Sequence, residues 1–237
     1  MINDKLFNLY KSYTQGLNDL YTNLSVNGVE DYAGPHLPYC WEEQYFKSKH
    51  RLVIFGQETN GWYSDYMKSD EDIRKNIQVY KDFQLGANYN SNFWRYAHRI
   101  NLKLNGFEEL NFIWMNVNKF GRDSAKGKPD KIVLDNEVKY YNLLADELAI
   151  LQPEVCIFFT GPFYDQDIKN KLSDLNFQEF CDFNQRKLAR LTSKHLPKHS
   201  YRTYHPGYGN RIKMRYEKML DAIIEDVRSE KKLWENT

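Results

Sequence analysis

The sequence predicts an α/β fold of three layers, α/β/α, around a central, mainly parallel four-stranded sheet. Apolar runs of strand length recur at residues 51–56 (RLVIFG), 112–117 (FIWMNV) and 155–160 (VCIFFT), each staying apolar until near its carboxyl end, as strands covered on both faces require. Segments with helical spacing separate these runs, so each connection is a crossover and neighbouring strands run parallel. A chain of 237 residues is long enough to bury a substantial core as a single domain, 1–237.

The elements follow in chain order. Leu6, Leu9, Tyr10, Tyr13, Leu17, Leu20 and Tyr21 recur at helical spacing and predict an amphipathic helix over residues 1–25, the main part of an N-terminal helical extension over 1–35. The Pro-containing stretch 32–39 is a loop by composition, and it leads through Trp41 and Phe46 to the first strand. Residues 70–84 (DEDIRKNIQVYKDFQ) open with acidic side chains, which the positive end of a helix dipole favours. A further helix begins near Ser91 or Asn92, either of which suits an N-cap; Phe93, Trp94, Ala97, Ile100 and Leu104 give it one apolar face to pack on the sheet, and Gly106 ends it.

The second strand carries Asn116 near its carboxyl end. Leaving that amide unsatisfied in a core would cost about 1–3 kcal/mol, so it either caps a loop or reads a ligand. Residues 121–129 (GRDSAKGKP) form a loop. Val138, Tyr141, Leu144, Leu148 and Leu151 predict a helix over 136–151 that stops before Pro153. The third strand is closed by Gly161 and Pro162. A helix at 165–172, a short strand at 201–204 and a last helix at 211–230, packed through Met214, Met219, Leu220, Ile223, Ile224 and Val227, complete the chain.

Composition narrows the class. The formal net charge of +1 says nothing about a polyanionic partner, but residues 186–216 contain nine Lys or Arg and no Asp or Glu. Such a local excess is either the footprint of a phosphate backbone or a solvated basic face. Cys40, Cys156 and Cys181 are widely spaced and form no CxxC pair, which argues for a reducing compartment and against a zinc or iron–sulfur site. The first residues lack an apolar signal core, and no window approaches 18 apolar residues, so a cytoplasmic protein without a membrane span is expected.

In open α/β sheets ligands sit beyond the carboxyl ends of the strands. Gln57, Glu58, Thr59 and Asn60, which follow the first strand at once, occupy that place; the alternative is a solvated βα turn.

Three strand-end motifs then stand in one order: GQETNGW at 56–62, MNV at 115–117 and HPGYGNR at 205–211. Together they resemble the uracil-DNA glycosylase superfamily. Its members carry a water-activating loop of the G-Q-D-P-Y-H or G-x-x-P-G type, an Asn on the second strand, and an H-P-S loop that enters the DNA minor groove. The third strand, VCIFFTG, is similar to the family's apolar strand ending in a small residue, and the resemblance covers about residues 36–228. It departs at named positions. Glu58 stands where the family has the Asp that orients water, and Thr59 stands where it has Pro. Asn60 and Gly61 replace the aromatic that blocks a ring substituent, Gly207 replaces Ser, and Gly209 falls at the apolar wedge.

The resemblance implies a fold like that of the family and a set of roles. A nucleotide flips from duplex DNA. Asn116 reads the Watson–Crick edge, His205 donates to the departing base, and Glu58 orients and helps deprotonate the attacking water. Gln57, Asn60, Trp62 and Tyr63 contribute to the base pocket, where Trp62, Tyr63 or Tyr66 stacks the extruded ring or packs in the core. Tyr208, Asn210, Arg211 and Lys213 contact DNA, with Tyr208 or Arg211 filling the gap the base leaves. Glu58 as a structural ion pair and His205 as a satisfied loop histidine are the alternatives. No metal or cofactor is implied, and a monomer suffices.

The function so implied is a monofunctional DNA glycosylase acting on uracil or a modified pyrimidine. A pocket open at Asn60 and Gly61 motivates a sharper variant: an anti-phage defence enzyme that excises a bulky modified cytosine such as glucosylated hydroxymethylcytosine. Competing classes are a non-catalytic DNA-binding protein on the same scaffold, and a protein whose basic segment binds RNA or a free nucleotide.

Overall fold

The computed structural model describes residues 1–63, 66–107 and 109–234, with the backbone alone at 209–215 and 230–234. In chain order the described elements are α1 (Ile2–Ser12), α2 (Thr14–Val26), α3 (Glu42–Lys47), β1 (Leu52–Gly56), α4 (Asp70–Phe83), α5 (Asn92–Asn105), β2 (Phe112–Asn116), α6 (Lys131–Tyr140), α7 (Leu144–Leu151), β3 (Val155–Phe158), α8 (Asp165–Lys171), β4 (Asn176–Glu179), β5 (Leu188–Thr192), β6 (His199–Thr203) and α9 (Gly209–Trp234).

One sheet runs in the order β2-β1-β3-β6-β5-β4. Its first four strands are parallel, and β5 and β4 extend it antiparallel. The sheet thus has six strands, not the four expected. The parallel block is there, but β4 and β5 were invisible to a search for continuous apolar runs. Phe177 is the one buried residue of β4, and β5 carries Arg190 between buried Ala189 and Leu191.

Alternation along the strands divides the interior into two layers. Val53, Phe55, Ile113, Met115, Cys156 and Phe158 face one cluster, which α1, α2, α6, α7 and α8 cover. Leu52, Ile54, Phe112, Trp114, Val155 and Ile157 face the other, covered by α5, α9 and Tyr80 of α4. Helices on both faces make the three-layer α/β/α arrangement.

Leu6, Tyr10, Leu17, Leu20 and Leu24 are buried in the same cluster as Val53 and Phe55, so the N-terminal helices belong to the domain core rather than forming an extension of it. Two long helices of the sequence reading are each two helices here. The first breaks at Tyr13 (φ −95°, ψ 6°), the second at Tyr141 (φ −142°, ψ 38°), where buried Tyr141 and Leu143 turn inward.

Caps fix the helices nearest the sheet edge that matters. Ser69 and Asp72 form a capping box at α4. Ser91 Oγ accepts from the Trp94 amide at α5, and Gly106 (φ +82°) closes that helix. In register, Gly56 lies beside Asn116, which brings the carboxyl ends of β1 and β2 level.

Candidate active site

A cleft of about 650 Å³ opens at this end of the sheet. Its polar wall is residues 57–60, Ser91, Asn116, Lys126 and His205; its apolar wall includes Trp62, Phe83, Tyr89, Phe93, Trp94 and Trp114. The size is that of a small-molecule site, and it exceeds what a pyrimidine ring alone would fill.

Glu58 leaves β1 two residues after Gly56. One carboxylate oxygen accepts a 2.8 Å hydrogen bond from the Tyr164 hydroxyl; the other, Oε2, is buried with no hydrogen-bond partner among the described residues. Burial pushes this carboxyl up to about 7. Tyr164, the Asn118 amide and Lys128 favour the charged form, and Asp167 opposes them. Asn118 Nδ2 stands close enough to act on Glu58 but makes no hydrogen bond of good geometry.

Asn118 is itself held from below. Its Oδ1 accepts from Lys171 Nζ at 3.2 Å, and the same ammonium donates to Val117 O at 2.5 Å and pairs with Glu137. Glu137 in turn accepts the amides of Lys119 and Phe120 at 2.9 and 3.3 Å. A second buried pair, Lys119–Glu147 at 2.5 Å, lies alongside. Lys128 ties the 121–129 loop to the Tyr164 turn: it pairs with Asp167, donates to Phe163 O at 2.9 Å and sits 4.2 Å from the Tyr164 ring centroid.

His205 follows β6 by two residues. Its Nδ1 accepts the Gly207 N–H at 3.0 Å, so the proton of the neutral ring belongs on Nε2. Burial holds its pKa down to about 4, which leaves the imidazole an uncharged donor at neutral pH. The ring stacks on Phe93, 5.9 Å between centroids and 19° between planes. A Cβ at position 207 would stand 3.0 Å from Nδ1, which suits Gly there.

Asn116 accepts at Oδ1 from the Trp114 indole N–H, 3.2 Å away, while its Nδ2 is buried without a partner among the described residues. Gly56 makes this possible. Any Cβ at that position would come 2.4 Å from Asn116 Oδ1 and 3.2 Å from Trp114 Nε1.

Of the residues singled out in the sequence, Gln57, Glu58, Asn60, Trp62, Asn116 and His205 meet in the cleft. Gln57 also donates to Thr160 O at 2.8 Å, tying the loop to the end of β3. Asn60 is exposed at the rim and bridges to Arg122. Trp62 packs edge-on against Phe83 and Trp114.

Tyr63 does not join them: it packs on the opposite core cluster, and its carbonyl accepts from Gly34 N at 2.7 Å. Tyr66 sits edge-on to Tyr21, also away from the cleft. Tyr208 is 47% exposed beside Tyr204 and does not line the cleft. The side chains of Asn210, Arg211 and Lys213 lie outside the described residues.

The basic segment is partly spoken for. Arg202 is buried and forms a two-pronged pair with Asp165 at 2.8 and 2.9 Å, and Arg190 pairs with Asp226 at 2.5 Å. These two cations hold the fold rather than a polyanion.

The sequence points to Trp62 of the aromatic wall but not to its other members, nor to Tyr164, Asn118 or Lys171. Tyr164 had a signal, lying just beyond a Gly–Pro strand end. Asn118, two residues past Asn116, had a weaker one. Among the described residues no group of three or more His, Cys, Asp or Glu gathers as a metal ion would require. No described helix is long and apolar enough to cross a membrane. Compared with family models, curated proteins and solved structures, the chain matches none.

Proposed function

We propose that this protein is a monofunctional DNA glycosylase that hydrolyses the N-glycosidic bond of a pyrimidine flipped out of DNA. The observation that carries this proposal is a buried carboxyl and a neutral imidazole, Glu58 and His205, lining one cleft at the carboxyl ends of parallel strands. Glu58 titrates near neutrality, where a general base is most effective. As the carboxylate it takes the proton of the water that attacks the sugar carbon. His205 donates from Nε2–H to a carbonyl oxygen of the departing base and disperses its negative charge without itself losing a proton. Asn116 hydrogen-bonds the ring edge, and the aromatic wall replaces the stacking lost on flipping. Double-stranded DNA is the proposed partner.

A specific observation favours a bulky base. The rim residues Asn60 and Gly61 are both exposed, and the cleft is larger than an unsubstituted pyrimidine needs. A modified cytosine such as glucosylated hydroxymethylcytosine, excised in defence against phage, fits that space. All three cysteines are free, as in a reducing cytoplasm, and the cleft is built by one chain, so a monomer would serve.

The test is to incubate the protein with duplexes bearing uracil, a thymine mismatch, hydroxymethylcytosine or its glucosylated form, and to score abasic sites. Glu58→Ala and His205→Ala abolish base release and leave DNA affinity largely intact. Release of uracil alone would remove the bulky-base variant. DNA bound with no abasic site from any duplex would favour a non-catalytic binding protein, and base release surviving both substitutions would overturn the assigned roles.

A further inference from the structure

Strand register sets Asn118 beside Glu58. β1 and β2 pair as far as Gly56 and Asn116, and the parallel ladder then continues: Val117 N donates to Gly56 O at 3.1 Å and Asn118 N to Gln57 O at 2.9 Å. The Asn118 side chain is buried, and its Nδ2 has no hydrogen-bond partner among the described residues. The same is true of Glu58 Oε2. A donor and an acceptor, both buried, are thus presented by neighbouring strand ends. Against the burial that raises the Glu58 carboxyl, the Asn118 amide acts as a donor that favours its charged form.

Lys171 decides which end of that amide faces Glu58. An ammonium has three donors and no acceptor, and three acceptors surround this one: Val117 O at 2.5 Å, a Glu137 carboxylate oxygen, and the Asn118 amide at 3.2 Å. The Asn118 atom turned to Lys171 is therefore Oδ1; turning the amide over would set donor against donor. Lys171 is pinned in its turn. It is the buried last residue of α8, and its partner Glu137 also accepts the amides of Lys119 and Phe120. One segment, 164–171, thereby holds Glu58 twice, Tyr164 directly and Lys171 through Asn118.

A carboxyl oxygen that faces an N–H keeps its lone pairs and works as a base, whereas one that faces a carbonyl keeps a proton and works as an acid. We infer that Lys171 is a positioning residue for Glu58: by holding Asn118 Oδ1 it turns the amide's donors toward Oε2 and commits the carboxyl to the base role. Oε2 retains a second lone pair for the attacking water. The inference rests on the glycosylase proposal for what Glu58 does, but the commitment is a property of the buried cluster and can be measured apart from catalysis.

The experiment follows Glu58 itself, by NMR of the full chain carrying 13C at its glutamate carboxyls, the resonance identified by its loss in Glu58→Gln. Asn118→Leu removes the donor and should raise the midpoint of the Glu58 titration by about one pH unit, which is tenfold less carboxylate at a given pH below it. Lys171→Met frees the amide to turn and should also raise the midpoint, yet add nothing in the Asn118→Leu background, because Lys171 acts through Asn118. Lys128 and Asp167, which bear on the same carboxyl with opposite signs, are kept in every variant. In base release from the four duplexes, the same substitutions should move the limb near pH 7 upward and lower kcat there with KM unchanged, since neither side chain lines the cleft. If Lys171→Met does not fold, the unaltered protein labelled with 15N carries the test: the Asn118 side-chain N–H resonances should move with the Glu58 titration.

A midpoint that Asn118→Leu leaves in place or lowers, a Lys171→Met shift of the same size with and without Asn118, or Asn118 N–H resonances that ignore the titration overturns the inference. If no duplex yields abasic sites, the glycosylase proposal fails by itself, and the resonances still decide whether Lys171 and Asn118 hold Glu58 as a carboxylate.

Discussion

Replacing Glu58 with Gln should make the protein more stable, and only above a definable pH. Glu58 has a folded pKa of about 7 against an ordinary 4.5, raised by burial. At 1.36 kcal/mol per pH unit the gap is worth at most about 3.4 kcal/mol. Water in the cleft screens part of it, so about 2 kcal/mol is the expected size. The sign follows from linkage. Below about pH 4.5 the carboxyl is protonated in folded and unfolded chains alike and exacts no penalty. Between 4.5 and 7 the unfolded chain releases the proton while the folded one keeps it, and folding loses stability as pH rises. Above 7 the full cost is present. Glutamine carries no charge and still offers an oxygen to the Tyr164 hydroxyl. Urea unfolding of both proteins at pH 4.5, 6, 7 and 8.5 should show their difference growing from near zero to about 2 kcal/mol in favour of Glu58→Gln. A difference that is flat across this range, or that favours Glu58 at pH 8.5, would show that the carboxyl is not held out of water as described.

Three further outcomes are expected. Base release by the unaltered protein should fall as pH drops through about 7, because the carboxylate form of Glu58 is the one that accepts a proton; Tyr164→Phe removes a donor that favours that form and should move this limb to higher pH in a rate profile. Gly56→Ala brings a Cβ 2.4 Å from Asn116 Oδ1, so it should cost about 1–3 kcal/mol in urea unfolding and cut base release further than stability alone explains. Lys171→Met strands buried Glu137 without its cation and should destabilise by about 3–5 kcal/mol by the same measurement.

What the sequence disclosed, and what it hid, follows from the range of the interactions concerned. β1, β2 and β3 were legible because burial on both faces leaves an unbroken apolar run, and the starts of α4 and α5 because Asp70 and Ser91 are local signals. β4 and β5 were not: β4, at the sheet edge, buries only Phe177, and β5, between β6 and β4, carries Arg190 in its middle, so neither makes an unbroken apolar run. Neither break has a Gly or Pro at its turning residue, Tyr13 or Tyr141; at the second, Tyr141 and Leu143 are buried, a tertiary contact that helical spacing does not announce. In the site, Glu58, Asn116 and His205 could be read as polar residues at strand ends. Phe93 and Trp94 could not, because an aromatic that lines a cleft and one that packs on a sheet have the same helical spacing. Arg202 looked like part of a polyanion footprint because its counterion, Asp165, is 37 residues away in sequence.

Three of the five tryptophans, Trp62, Trp94 and Trp114, belong to the wall of one cleft. That wall therefore doubles as an optical reporter. Indole emission responds to polarity and to stacked rings, so a ring entering beside Trp62 and Trp114 would change the intrinsic fluorescence of the unlabelled protein. Occupancy of the cleft by a candidate ligand can be followed in real time, with no dye.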